Sequence, residues 1–196
     1  AAGYGSDKAI FGYGRTGSNL SMTNLVNNSG VVAADTTGVG TARWGLGAAN
    51  YGNDKAIFGY GTTGSNSSLT NLVSNLGVVS ADVTGVGTAR GYLAAASYGT
   101  DKGIFGYGYT GSNLSMTNLV SNTGVVASDV SGVGTARRQL AAAGYGGDKA
   151  IFAYGASSGN QNMSNLVNNS GVVSADVTGV GTAREATAAA GYSISA

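Results

Sequence analysis

Residues 46–90 read LGAANYGNDKAIFGYGTTGSNSSLTNLVSNLGVVSADVTGVGTAR. Four apolar or β-prone runs lie in this stretch: Leu46 to Tyr51, Ala56 to Tyr60, Leu69 to Asn75 and Val78 to Val83. Each has five to seven residues, the usual length of a strand. The intervening YGND, GTTGSN, NLG and TGVG are turn sequences, in which Gly, Asn and Asp tolerate the backbone a tight reversal needs. No run of ten or more residues carries helical periodicity without a glycine break. The stretch predicts one four-stranded antiparallel sheet.

The same stretch occurs four times. Tyr4, Tyr51, Tyr98, Tyr145 and Tyr192 recur every 47 residues, and GVGTAR ends at Arg43, Arg90, Arg137 and Arg184. The chain divides into repeats 1–43, 44–90, 91–137 and 138–184, with a tail 185–196. A four-stranded unit of this size matches one propeller blade. A lone blade cannot bury both of its faces, so blades pack face to face. The expectation is a single all-β domain over 1–196, a four-bladed β-propeller with four antiparallel strands per blade. The Ala-rich run Ala94-Ala95-Ala96 suits a crowded inner strand, and Phe11, Phe58, Phe105 and Phe152 suit the filling between blades. The tail EATAAAGY, Glu185 to Tyr192, repeats the first run a fifth time, so it is expected to take the inner position of the first blade and close the ring.

Composition excludes several chemistries. The 196 residues include 35 Gly and no Pro, Cys or His, with 42% apolar and only 10% charged residues. Ordinary domains carry about 25% charged residues. Without Cys or His there is no disulfide framework, no thiolate nucleophile, no Ser-His-Asp triad and no zinc site of the usual kind. No cofactor is implied, and a calcium loop of the D-x-D-x-D-G kind is absent. The net charge of +1 offers no field for nucleic acid. No apolar stretch reaches the roughly 18 residues of a membrane span. The start AAGYGSDKAIFG has neither a basic segment nor an apolar core of signal-peptide type. A monomer is expected.

Nearly all charges belong to the repeating frame: Asp7, Lys8, Asp35 and Arg43; Asp54, Lys55, Asp82 and Arg90; Asp101, Lys102, Asp129 and Arg137; Asp148, Lys149, Asp176 and Arg184. A residue needed for function is seldom needed identically in every blade. These charges are therefore read as structural, the arginines pinning turns or neighbouring blades through Asp and backbone carbonyls. Gly12, Gly14 and Gly17 spell G-x-G-x-x-G, but SNLSMTNLV follows and opens a strand, so the glycines are read as a turn or bulge. Asn19, Asn66, Asn113 and Asn162 lie in N-x-S sequons, and the fixed Asn24 and Asn28 are read as turn and edge hydrogen-bonders.

The copies differ at few positions. After the arginine they read Trp44-Gly45, Gly91-Tyr92, Arg138-Gln139 and Glu185-Ala186; after GYG or its equivalent they read Arg15, Thr62, Tyr109 and Ala156. Trp, Tyr and Arg dominate binding hot spots. Trp44, Tyr92, Arg138, Gln139, Arg15 and Tyr109 are thus the candidate ligand-binding residues, and no catalytic or metal-binding residue is assigned.

GTAR (Thr41, Ala42, Arg43) after the last run and IFGYG (Ile10 to Gly14) at the end of the second resemble the kelch repeat over all four copies. The paired kelch glycines are here split as GYG, and the kelch Trp before the Arg is replaced by VTGVG. The wording TNLVSNTGVVASDVSGVGTAR also resembles repeat proteins of marine bacteriophages and environmental bacteria, which implies a virion-associated or extracellular setting. The expected function is a non-enzymatic recognition module for a glycan or a protein surface. The alternative is a structural scaffold or assembly block, natural or engineered, with no specific ligand.

Overall fold

The structure, a computed structural model, describes residues 1–191. It contains four three-stranded antiparallel sheets in chain order and, among the described residues, no helix. The first sheet is β1 (Ala2–Tyr4), β2 (Lys8–Arg15) and β3 (Asn19–Val26); the second is β4 (Gly47–Tyr51), β5 (Lys55–Gly59) and β6 (Thr70–Val73). The third is β7 (Ala94–Tyr98), β8 (Lys102–Tyr109) and β9 (Asn113–Val120); the fourth is β10 (Ala141–Tyr145), β11 (Lys149–Ala153) and β12 (Ser164–Val167). In every sheet the second strand is central.

The fourth strand expected in each unit does not form. In the second repeat the run Val78 to Val83 pairs with β6 through isolated bridges, Val73↔Val79 and Thr70↔Val83, without forming a continuous ladder. These two bridges are separated by three steps on one side and four on the other, so one extra residue interrupts the ladder. The Asn71 amide fills the gap and donates to the Ser80 carbonyl at 3.1 Å. Asn118 and Asn165 make the same contact to Ala127 and Ser174, both at 3.0 Å. A side-chain donor thus takes an acceptor that a regular ladder would give to a backbone N–H.

The glycines of GYG do sit at a bulge. In the first sheet the register shifts between Gly12 and Gly14, with Tyr13 at φ +63° and Gly14 at φ +111°. This left-handed backbone swings the Tyr13 ring towards the next sheet, where it meets Phe58 edge-on at 5.2 Å.

Sheets pack in sequence order. β1 lies on β4 and β5, β4 on β7 and β8, and β7 on β10 and β11. Equivalent backbone groups join neighbours: Gly5 N donates to Asp54 O, Gly52 N to Asp101 O and Gly99 N to Asp148 O, each at 2.7 Å. Between the sheets lie Phe58, Phe105 and Phe152, all essentially without exposure. Each such burial stabilises by about 1.5–3 kcal/mol. Gly59 and Gly106 form flat seats for the next ring: a Cβ on either would come within 2.6 Å of the Cζ of Phe105 or Phe152.

The expected closure needs correction. The inner position of the first sheet is held by β1 itself, with Ala2 opposite Ile10. The tail instead continues along the last sheet: Ala186 N donates to Gln139 O, and Thr187 to Ala189 lie beside Ala141 to Ala143. This is the path every earlier linker takes from its arginine to the next inner strand. Phe11, expected between blades, is 50% exposed. The outer faces of the first and last sheets are therefore open among the described residues. The part of the expected closing strand at 192–196 lies outside the described residues.

Candidate functional site

Inner strands begin, and central strands end, at the same end of each sheet, because the two pair antiparallel. Matching positions of successive inner strands touch, as in the bond from Gly3 N to Asn50 Oδ1 at 3.0 Å, so the four sheets share one orientation. The two variable positions of every repeat consequently meet at one end of the stack. Trp44 bridges Thr62, Gly91 bridges Tyr109 and Arg138 bridges Ala156, each pairing the post-arginine position with the post-GYG position of the same repeat. A backbone ladder continues around this end: Tyr92 N donates to Gly45 O, Gln139 N to Tyr92 O and Ala186 N to Gln139 O. Tyr92 (φ +56°) and Gln139 (φ +53°) adopt left-handed backbone to do so.

The candidate side chains form two groups. The Arg15 guanidinium lies 5.3 Å from the centre of the Trp44 ring, and Trp44 meets Tyr92 edge-on at 5.1 Å. The Arg138 guanidinium lies 4.9 Å from the Tyr109 ring and donates to Asn113 Oδ1 at 3.3 Å. Arg15 is exposed; Trp44, Tyr92, Tyr109, Arg138 and Gln139 are half-buried. All six candidates thus share one end. Asn113, set aside as a sequon residue, joins them through Arg138. Its place next to the variable loop was the signal available in the sequence. Cations over aromatic faces and a free amide present stacking surface and hydrogen-bonding groups side by side.

The frame charges go elsewhere. Asp7–Lys8, Asp54–Lys55, Asp101–Lys102 and Asp148–Lys149 each pair at 2.8 Å beside the hairpin turns, at the opposite end of the sheets. The Lys8 hydrogen bond holds the Asp7 carboxyl below its usual range, and Asp7 raises Lys8 in return.

Arg43, Arg90 and Arg137 are fully buried between sheets. Arg43 lies 4.5 Å from the Tyr13 ring, then reaches into the next repeat, where Nε donates to Tyr60 O at 2.8 Å and Nη2 to Asn71 Oδ1 at 2.5 Å. Asp82 lies 3.7 Å from Nη1 and accepts from Thr41 N at 3.0 Å and Thr41 Oγ1 at 2.6 Å. Burial by itself would raise the Asp82 carboxyl, but the donors of Thr41 and Asn71 and the Arg43 charge outweigh it and hold it low. Asn71 is wholly buried mid-strand, a role the turn-and-edge reading of its repeat position missed.

The last arginine and the first aspartate differ. Arg184 is exposed and lies 3.9 Å from the Tyr154 ring, and among the described residues its guanidinium donates only to Thr182 O. Asp35 accepts from Asn24 at 2.8 Å and is met by no cation among the described residues.

Cavities lie on the outer face of the last sheet and between adjacent repeats. One of about 330 Å³ opens on the outer face of the last sheet, between Ile151, Ala153, Tyr154 and the tail. Three apolar grooves recur where adjacent repeats meet, lined by residues such as Leu25 and Val78, Leu72 and Val125, and Leu119 and Val172.

No family model and no curated protein sequence matches the chain. It is similar in fold to the solved structure of YjhT, with a TM-score of 0.58 at 12% identity over 79% of this chain and 51% of that one. The chain spans about half the length of YjhT, and at this identity the likeness concerns fold alone.

Proposed function

We propose that the chain is a propeller-type recognition module without catalytic activity, and that it binds a glycan at the end where its repeats differ. The observation that carries this reading is the convergence of the variable positions. Arg15, Trp44 and Tyr92 form one contiguous group there, and Arg138, Tyr109 and Asn113 form another. Exposed aromatic faces stack on the apolar faces of sugars, while guanidinium and amide groups satisfy hydroxyls. Drift at unconstrained surface positions would instead leave small polar residues. The frame carboxylates are already committed to Lys, Thr, Asn and Arg, which removes the usual acid–base pair of a glycosidase.

The test is a glycan array probed with the wild-type chain and with a Trp44→Ala, Arg138→Ala double variant. Binding by the first and a loss of at least ten-fold by the second is expected. Trp44 is the chain's one tryptophan, so its fluorescence should change with the same glycan. An array without any binder overturns the reading. Binding of a protein instead of a sugar, lost in the same double variant, would keep the surface and replace the ligand.

A further inference from the structure

The two open faces are the two halves of a contact the molecule makes three times internally. At each internal junction the leading sheet supplies Tyr, Thr and Arg, and the following sheet supplies Phe, Asn and Asp. The first junction joins Tyr13, Thr41 and Arg43 to Phe58, Asn71 and Asp82. The outer face of the first sheet carries the following set without a leader: Phe11 half exposed, Asn24 and Asp35. The outer face of the last sheet carries the leading set without a follower: Tyr154, Thr182 and Arg184. At the place where Phe58, Phe105 and Phe152 sit in the interior, the last face has its cavity of about 330 Å³.

We infer that these faces bind each other between copies, so that the chain assembles head to tail with a second copy of itself. Phe11 of one copy enters the cavity beside Tyr154 of the other. Arg184 then reaches Asn24 and Asp35 as Arg43 reaches Asn71 and Asp82. Charge and donor–acceptor character are complementary: the last face offers guanidinium and hydroxyl donors, the first a carboxylate and an amide oxygen. The contact joins unlike surfaces, so it propagates from copy to copy until a ring closes.

Two features set its strength. Ala153 stands where Gly12, Gly59 and Gly106 stand, and its methyl faces the tip of the incoming ring. The tail 187–191 lies where the incoming inner strand would lie, and Ala189-Ala190-Gly191 repeats Ala1-Ala2-Gly3. One of these equivalent segments yields to the other when copies meet. The junction is thus weaker than the internal ones and tightens in Ala153→Gly.

The chain has no cysteine, so engineered pairs report cleanly. Asp35→Cys and Thr182→Cys chains, at the counterparts of Asp82 and Thr41 whose short side chains meet at 2.6 Å in the first internal junction, are prepared separately, mixed and oxidised, and the double variant is oxidised alone. The expected result is a disulfide-linked dimer from the mixture and a ladder of linked chains, or a linked ring, from the double variant. Light scattering of the wild type should show oligomers that Phe11→Asp and Arg184→Glu each abolish, while a mixture of these two variants recovers a dimer through the remaining intact faces. Both substituted side chains are largely exposed, so folding should be retained, as circular dichroism would verify. A wild type that stays monomeric at high concentration, or a double variant whose only disulfide lies within one chain, overturns the inference.

Discussion

The Arg90 guanidinium lies 4.2 Å from the centre of the Tyr60 ring, and both side chains are buried completely. Arg90 also donates to Tyr107 O at 2.8 Å and to Asn118 Oδ1 at 2.7 Å, so one side chain from a linker holds two sheets together. Replacing Arg90 by Ala strands the buried Asn118 and leaves Asp129 without its cation. The loss should be about 3–5 kcal/mol. Arg90→Lys should recover only part of it, because an ammonium cannot stack and fork at once. Arg184→Ala, at the exposed equivalent, should cost less than about 1 kcal/mol in the monomer. Urea unfolding of the three variants checks the order.

Phenylalanines at one repeat position should differ as sharply. Phe105→Ala opens a cavity between the second and third sheets and should cost about 3–5 kcal/mol. Phe11→Ala should cost less than about 1 kcal/mol, since its ring is already half exposed. The same denaturant series measures both.

Gly59→Ala should destabilise by about 1–3 kcal/mol, because the new methyl would press on the Phe105 ring tip. Gly64→Ala also strains a left-handed backbone (φ +115°), but nothing lies within 4 Å of its Cβ. Its cost should be smaller and should not depend on the residue at 105. A double-mutant cycle of each with Phe105→Leu separates the two effects.

Alkali should unfold the protein through its tyrosines. Burial pushes the phenols of Tyr60 and Tyr107 up to about 12, from an ordinary value near 10. The folded value lies above the unfolded one, so this stability is complete below pH 10 and disappears as pH rises towards 12. Two units correspond to about 2–3 kcal/mol for each ring. Phenolate absorbance should therefore rise together with the loss of β-sheet circular dichroism. Tyr60→Phe should lessen the alkaline loss, at the cost of the bond to Val86 O.

Acid should act through the aspartates at the junctions. Asp82, Asp129 and Asp176 are held below the usual carboxylate value by the Thr, Asn and Arg donors, which outweigh burial. Folded values below unfolded ones mean stability that is present at neutral pH and lost as pH falls below about 4. Asp129→Asn should flatten that acid limb in a pH-dependent unfolding series and lower stability at neutral pH.

Much of this was legible in the chain because four copies expose their own pattern. The 47-residue period, the short β-prone runs, the bulge at GYG and the buried role of Phe58, Phe105 and Phe152 follow from spacing and residue type. Asn71 was not legible as a buried partner of Arg43, since Asn reads equally well as a turn residue. The missing fourth strand was not legible either, because Val78 to Val83 has strand composition and its ladder is broken by an extra residue and by the side chains of Asn71 and Ser80.

The sequence by itself determined what each repeat is: a small antiparallel sheet with turns at its glycines, a phenylalanine suited to the gap between units and an arginine that pins it to a neighbour. Local preferences and turn chemistry repeat with the letters, so they need no neighbour to be read. Tertiary structure alone decided which copies touch. Identical letters at Phe11 and Phe105 differ in exposure, and of the identical arginines 90 is buried and 184 exposed, because burial belongs to the neighbouring sheet and, among the described residues, the first and last sheets each have one neighbour.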